Sequence, residues 1–113
     1  MIRVMIIDDK KIIDSVVKNA AENVRLAWAQ ENEKSPGYCV FTDEGELLSV
    51  VDNGGVFELL VRATLNHLDL KGIKIGFTLN EAMFEEVRKL GFQKENDRYS
   101  VDISEFFKPC CCK

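Results

Sequence analysis

The spacing between two short apolar runs limits the folds that are open to this chain. The runs YCVF (38–41) and ELLSVV (46–51) are separated by only four residues, TDEG. Four residues can form a hairpin turn, but they cannot hold the crossover of about a dozen residues that joins parallel strands. We therefore predict an antiparallel hairpin in the middle of the chain.

The residues before this hairpin predict a strand followed by one long helix or by two consecutive helices. IRVMII (2–7) is a strand-like apolar run, and Asp8 or Asp9 can cap the helix that follows it. Ser35-Pro36-Gly37 is a typical turn sequence and is expected to end the helical region, which spans about residues 9–32. The apolar residues that recur every three or four positions in this region are Ile13, Val17, Ala20, Val24 and Ala27.

The residues after the hairpin predict two more helices and three more strands. Asn53-Gly54-Gly55 precedes the second helix, and Gly72 stands where its C-terminus needs a left-handed residue. IKIGFTL (73–79) is predicted to be a buried strand, Asn80 to cap a third helix that Gly91 ends, and RYSVDI (98–103) to pair with the run after Gly91. The elements together indicate one α+β domain.

Composition excludes several classes of function. The chain has 113 residues, enough for one domain with its own core, and a net charge of −4. This charge is the wrong sign for electrostatic binding to nucleic acid, and the Lys and Arg residues are scattered along the chain. No apolar run approaches the 18 or so residues of a membrane span, and the apolar stretch before Asp8 is too short for a signal peptide. We expect a cytoplasmic protein that binds neither nucleic acid nor membrane.

The predicted order of elements can be compared first with that of a phosphorylatable receiver domain. Such a domain needs five strands alternating with helices, an acidic pair after the first strand and an acceptor Asp after the third. The predicted hairpin leaves no room for the crossover helix between two of those strands, so we reject this alternative. The residues that would match a receiver site are Asp8, Asp9, Asp52, Thr78 and Lys108-Pro109.

The C-terminal half resembles the GNAT superfamily of N-acetyltransferases. In GIKIGFTLNEAMFEEVRKLGFQKENDRYSVDI (72–103), a strand precedes an Asn-capped helix that ends in K-L-G-F, and a final strand pair follows. Asn80, Lys89-Leu90-Gly91-Phe92 and Tyr99 fall in the family register, whereas Ala82 is one place early. The opening Ile2-Arg3 is also typical of the family, and the aspartates after the first strand then serve as helix caps.

The resemblance implies an α+β fold with a central, mostly antiparallel sheet flanked by helices and shortened in the middle. It covers residues 1–107 as a single GNAT-like domain and leaves residues 108–113 as a Cys-rich tail. It also implies binding of acetyl-CoA or CoA, with the pyrophosphate at the glycine pair before the second helix. The implied cofactor-binding residues are Val51, Asn53, Gly54, Gly55, Val56, Asn80 and Phe84.

The sequence departs from the family pattern at both of its chemical positions. The basic residue that usually begins the pyrophosphate loop is absent, and Asp52 adds a negative charge there. Val87 stands where the family usually has a catalytic tyrosine, which leaves Glu46, Asp52 and Tyr99 as catalytic candidates. Two functions therefore remain: acetyl transfer from acetyl-CoA to a small amine, or binding of CoA or a protein partner by a domain without catalysis.

The adjacent cysteines raise a third, weaker alternative. Cys110, Cys111 and Cys112 could hold a thiophilic metal ion, although a structural zinc site would need separated pairs of ligands. Cys39 is expected to be buried in a strand.

We also expect a homodimer. The hairpin at 38–51 supplies fewer strands than the middle of a GNAT domain usually has, so the sheet should end early and expose an edge.

Overall fold

The structure is a computed structural model that describes residues 2–108, and it contains two antiparallel sheets. The first sheet has four strands in the order β1-β2-β3-β4, and the second has three in the order β5-β7-β6. The strands are β1 (Arg3–Ile7), β2 (Val24–Glu31), β3 (Lys34–Thr42), β4 (Leu47–Asp52), β5 (Ile75–Thr78), β6 (Gln93–Glu95) and β7 (Arg98–Asp102).

Four helices and one 3₁₀ turn connect and cover these strands. They are α1 (Lys10–Val16), α2 (Phe57–Leu70), the 3₁₀ turn Glu81–Met83, α3 (Phe84–Lys89) and α4 (Ile103–Phe106). The predicted α+β class is confirmed. None of the helices within residues 2–108 is both long enough and apolar enough to cross a membrane.

The central hairpin is confirmed, and with it the rejection of a receiver domain. β3 and β4 pair antiparallel, with Tyr38 opposite Val51 and Cys39 opposite Val50. The prediction that an aspartate caps the first helix is also confirmed, because the Asp9 carboxylate accepts a hydrogen bond of 2.9 Å from the Lys11 amide. The acidic pair after β1 therefore begins a helix.

The prediction of a long helix over residues 9–32 is wrong. The helix ends at Val16, and residues 24–31 form strand β2. Val24 and Leu26 are buried beneath α1, whereas Ala27 and Ala29 are buried on the opposite face beneath α2. A strand that is buried on both faces has no clean alternation, so Val24 and Ala27 mimic a helical spacing although they lie on opposite sides of the sheet.

The prediction that Ser35-Pro36-Gly37 forms a stop is wrong as well, because these residues lie within β3. A Cβ at Gly37 would overlap the carbonyl oxygen of Val51 on β4, so glycine is needed here for close approach between strands. The turn is made instead by Asn32 and Glu33, where Asn32 adopts a φ of 58°. Asparagine tolerates this left-handed conformation better than most residues.

Strand β2 adds a strand that the sequence did not predict. With β1 and β2 beside the hairpin, the first sheet has four strands and β4 stands next to β5. The first helix is correspondingly short, since α1 has seven residues. The homodimer stays a prediction.

The main core lies between the first sheet and α2. Leu60, Val61 and Leu65 of α2 are fully buried against Phe41 and Leu47 of the hairpin. The amphipathic spacing of apolar residues in α2 thus gives the helix one buried face. Residues of the second sheet, among them Tyr99 and Val101, pack against the edge of the same cluster. One continuous core therefore joins both sheets through α2.

The two sheets meet at a junction between β4 and β5. Glu46 and Phe77 form an isolated parallel bridge, in which the Phe77 amide donates to the Gly45 carbonyl oxygen at 2.9 Å. Next to it, the buried Thr78 hydroxyl donates to the Leu47 carbonyl oxygen at 2.7 Å. This side-chain bond replaces the next backbone bond of a continuous ladder, so the junction ends where β5 ends.

The substitution Thr78→Val tests the importance of this bond. It preserves shape but leaves the buried Leu47 carbonyl without its hydroxyl donor, which should lower the free energy of unfolding by about 1–3 kcal/mol. Urea unfolding followed by the fluorescence of Trp28 measures the change.

Thr64→Val is the matched control. Thr64 is equally buried, and its hydroxyl donates at 2.8 Å to the Leu60 carbonyl, four residues back in α2, whose helical position already gives it an amide partner. We expect a loss below about 1 kcal/mol, because no acceptor is orphaned. Equal losses in the two variants would contradict a special role for Thr78.

Candidate functional site

The most distinctive feature of the structure is an opening between β4 and β5. β5 ends at Thr78, beside Leu47, whereas β4 continues for five more residues, to Asp52. We call the space beside residues 48–52 of β4 the β4–β5 opening. Along this edge, alternate residues of β4 direct their backbone groups away from β3. Among residues 2–108 these groups have no backbone hydrogen-bond partner on that side.

Asn80 fixes the corner of the β4–β5 opening. Its side-chain nitrogen donates to the Leu48 carbonyl of β4 at 2.9 Å, and its side-chain oxygen accepts from the Ala82 amide at 3.0 Å. One side chain thus caps the 3₁₀ turn and ties it to β4. The helix cap predicted at Asn80 is confirmed, and its bond to β4 indicates that it shapes the opening.

A loop at the far end of β4 leads into α2. Each of residues 52–56 is a predicted site residue, and together they lie at the N-terminus of the 14-residue helix α2. The Asn53 amide donates to the Pro36 carbonyl at 2.7 Å, which anchors the loop to β3. Gly55 has a φ of 72° and open space where a Cβ would be, so it faces outward as the sequence predicted for a turn.

The amides of this loop are already engaged by the Asp52 carboxylate. One carboxylate oxygen accepts from the Val56 amide at 2.8 Å and from the Gly54 amide at 3.2 Å. The other accepts from the Phe57 amide at 3.2 Å. Val56 stands at the N-cap of α2 and has no side chain that can accept a hydrogen bond, so Asp52 supplies the cap from four residues upstream.

These bonds determine the chemistry of Asp52. Partial desolvation raises the pKa of its carboxyl, but the amides of Val56, Gly54, Gly55 and Phe57 outweigh this effect and hold the pKa below its ordinary value. A carboxylate with a lowered pKa is a weak base. The geometry therefore argues against Asp52 as the base that takes a proton from an amine.

The other two catalytic candidates lie at different ends of the site. Glu46 is at the closed junction, six residues before Asp52, which is roughly 20 Å along an extended strand. Tyr99 lies on β7 directly opposite Thr78, beside the point where β4 and β5 separate. The structure thus does not bring Glu46, Asp52 and Tyr99 together, and Tyr99 has the best position.

Phe84 and Val87 show how the third helical segment is oriented. The Phe84 ring packs on the Tyr99 ring with a centroid distance of 4.7 Å, so this predicted cofactor-binding residue supports Tyr99. Val87 is fully buried in the main core. The position at which the family pattern places a tyrosine therefore points into the protein and not into the β4–β5 opening.

The chain's only histidine lies outside this region. His67 lines a charged pocket of about 340 Å³ with Asp8, Arg25, Asp43 and Lys71. Burial, followed by the charge of Lys71, lowers its pKa. Ten residues of α2 separate it from Phe57, which is roughly 15 Å along the helix. It is not available as a base for the β4–β5 opening.

Two parts of the predicted site involve cysteine. Cys39 is fully buried, as predicted, and burial raises the pKa of its thiol to about 12, so it is unreactive in the folded protein. Cys110, Cys111 and Cys112 lie outside the described residues. Within residues 2–108, no group of three or more His, Cys, Asp or Glu side chains has an arrangement that could hold a metal ion.

Thr78, which in the sequence matches only a receiver residue, has a structural role that was not predicted. Its hydroxyl accepts from the Asn80 amide at 3.1 Å while donating to Leu47, so it organises the same corner as Asn80. A signal for this role is present, because a threonine two residues before an N-capping asparagine can accept its amide. The carbonyl on β4 that it reaches is 31 positions away and cannot be inferred locally.

Two solved structures have this architecture. An Escherichia coli ribosomal-protein-S18-alanine N-acetyltransferase superposes with a TM-score of 0.66 over 91% of this chain and 94% of that chain, at 12% identity. A protein from Desulfovibrio desulfuricans that is assigned to the GNAT acetyltransferases superposes with a TM-score of 0.65 over 83% and 78% of the two chains, at 14% identity. The chain has the GNAT fold.

The GNAT fold was implied by the sequence motifs at the two ends of the chain, and the coverage extends it across the middle. Identities of 12–14% establish a shared architecture and leave the chemistry to the residues present. No protein-family model matches the sequence, and a search of the curated proteins finds no significant match.

The capping role of Asp52 predicts a specific pH dependence. Because its pKa is lowered in the folded state, the carboxylate stabilises the fold fully above its unfolded value near 3.8, and this contribution is lost as the pH falls through the lower folded value. Asp52→Asn keeps one acceptor oxygen and removes the charge, so it should cost up to about 1 kcal/mol at pH 7, and the difference from the unsubstituted protein should vanish toward pH 2.

Urea unfolding at a series of pH values measures this difference. Asp102 also makes stability depend on pH, because the Ser104 hydroxyl and the Glu105 amide lower its pKa. Since Asp102 is the same in both proteins, its contribution cancels in the difference between their free energies of unfolding. A deficit that stays constant from pH 7 to pH 2 would show that charge is irrelevant to the cap.

Proposed function

We propose that this chain binds the pantetheine arm of acetyl-CoA in the β4–β5 opening and transfers the acetyl group to a small amine. The observation that supports this most directly is the unpaired edge of β4 beyond Leu48. A pantetheine arm contains two amide groups, and an amide chain can add to a free strand edge by the same hydrogen bonds that a further strand would make.

The exposure of the β4 edge and the rigid corner at one end of the opening also suit such an arm. Val50 and Val51 are half-buried on the free strand, so the edge is neither sealed by the core nor fully exposed. The corner made by Thr78 and Asn80 is fixed by four hydrogen bonds and closes one end. A thioester at this end would lie beside a rigid corner, which favours reproducible positioning of the reacting carbonyl.

Tyr99 is the residue that we assign to proton transfer. In the reaction the amine nitrogen forms a bond to the thioester carbonyl carbon, the carbon–sulfur bond breaks, and the departing thiolate takes up a proton. The tyrosine phenol can donate that proton, and it lies opposite Thr78 with its ring held by Phe84. The amine would lose its own proton to water, because Asp52 is engaged in capping.

A second candidate function has its own support. The burial of Val87 removes the position where the family pattern has a proton donor, which favours a domain that binds a pantetheine thioester or a protein partner without catalysing transfer. A homodimer and a cytoplasmic location remain predictions under either function. So does a thiol or metal role for the cysteine tail, which lies outside the described residues.

Binding and turnover together test these proposals. A thermal-shift titration with acetyl-CoA and with S-acetylpantetheine should raise the melting temperature in proportion to occupancy. Release of free thiol in the presence of a panel of small primary amines measures acetyl transfer. We expect Tyr99→Phe to bind the thioester as before and to lose about tenfold or more in kcat, in the range of general acid catalysis.

The outcomes separate the candidates. Binding with thiol release that depends on amine supports the transferase, whereas binding without release by any amine supports the domain without catalysis. No shift with either thioester at millimolar concentration would contradict both. Phe84→Leu is the matched control for Tyr99→Phe, because it alters the ring contact and keeps the phenol.

A further inference from the structure

The position of Asp52 has a consequence for the donor, and this consequence rests on the proposed function. The β4–β5 opening begins at Leu48 and ends at Asp52, which is four residues or about 13 Å along the strand. A thioester seated at the Thr78 corner would leave its arm running toward Asp52. The phosphate end of a CoA molecule would then reach the loop at residues 52–56.

In this loop the groups that could bind phosphate are occupied by the protein itself. Three amides at the start of α2, those of Gly54, Val56 and Phe57, donate to the Asp52 carboxylate at 2.8–3.2 Å. A diphosphate could use them only by displacing a carboxylate that is covalently attached to the same loop. The only acidic residue in the first turn of α2, Glu58, adds a further negative charge.

The loop offers no positive charge to offset this repulsion. Between Tyr38 and Leu60, which covers β4 and the loop, the sequence contains no Lys or Arg and has five acidic residues. The nearest cation on α2 is Arg62, which lies within 3.9 Å of Glu58 and stacks on the rings of Phe106 and Phe107. The helix dipole therefore acts on a fixed carboxylate and not on a free anion site.

We infer that Asp52 determines donor specificity: by occupying the amides at the start of α2, it makes the chain discriminate against pantetheine thioesters that carry a diphosphate. Thioesters of pantetheine itself keep every contact in the β4–β5 opening and bring no phosphate to the loop that Asp52 occupies. The preferred acyl donor is therefore a pantetheine thioester without the nucleotide part of CoA.

The test compares donors and variants by isothermal titration at fixed salt. Pantetheine and CoA are the probes, and Asp52→Ser is the main variant, because serine retains a capping oxygen and removes the charge. Asp69→Asn is the matched control, since it changes net charge equally at the other end of α2. Circular dichroism and urea unfolding check that each variant is folded.

For the unsubstituted protein we expect CoA to bind more weakly than pantetheine, with a Kd at least threefold higher. Asp52→Ser should tighten CoA at least tenfold and leave pantetheine within threefold, because only CoA reaches the freed amides. Asp69→Asn should leave both affinities within threefold. The comparison within the unsubstituted protein does not depend on the folding of any variant.

Two results would overturn the inference while leaving the proposed function in place. They are CoA binding as tightly as pantetheine, or more tightly, in the unsubstituted protein, or CoA affinity that is unchanged or weaker in folded Asp52→Ser. Failure of both pantetheine and CoA to bind the unsubstituted protein and Asp52→Ser would overturn the proposed function itself and this inference with it.

Discussion

The hydrogen bond from the Thr78 hydroxyl to the Leu47 carbonyl is the interaction on which the rest of the structure depends. It is fully buried, and it lies where the four-stranded and three-stranded sheets meet. A backbone donor at this place would extend the ladder and close the β4–β5 opening. A missing donor would leave a buried carbonyl without a partner. The hydroxyl satisfies the carbonyl and ends the pairing at the same time.

The region around Asp52 shows a conflict between stability and ligand binding. Helix α2 carries much of the main core, and its N-cap residue, Val56, has no side-chain acceptor. The Asp52 carboxylate supplies the missing acceptor and so stabilises the helix that holds both sheets together. The same bonds occupy the amides that would attract an anion. Capping the helix and binding a diphosphate require the same few amides, and here the Asp52 carboxylate that caps the helix occupies them.

Local sequence predicted those elements whose determinants are also local. The central hairpin follows from the length of its turn, and the ends of α2 and α3 follow from Gly72 and Gly91, which have φ values of 85° and 110°. The caps at Asp9 and Asn80 are likewise formed within two residues of their acceptors. Strand β2 was not predicted, because burial on both of its faces comes from α1 and α2 and removes the alternation that marks a strand.

The sequence by itself determined the α+β class, the antiparallel hairpin and the family of folds, because short-range spacing and the motifs at the two ends of the chain suffice for these. It also named Asn80, Gly55 and Tyr99 as candidate site residues. Only the tertiary structure decided that Thr78 and Asn80 reach carbonyls on β4 more than 30 positions away. It also decided that Val87 is buried and that Asp52 turns back onto the amides of α2. The physical reason is that a hydrogen bond forms between groups that are close in space. The two bonded residues do not by themselves determine how the chain between them brings those groups together.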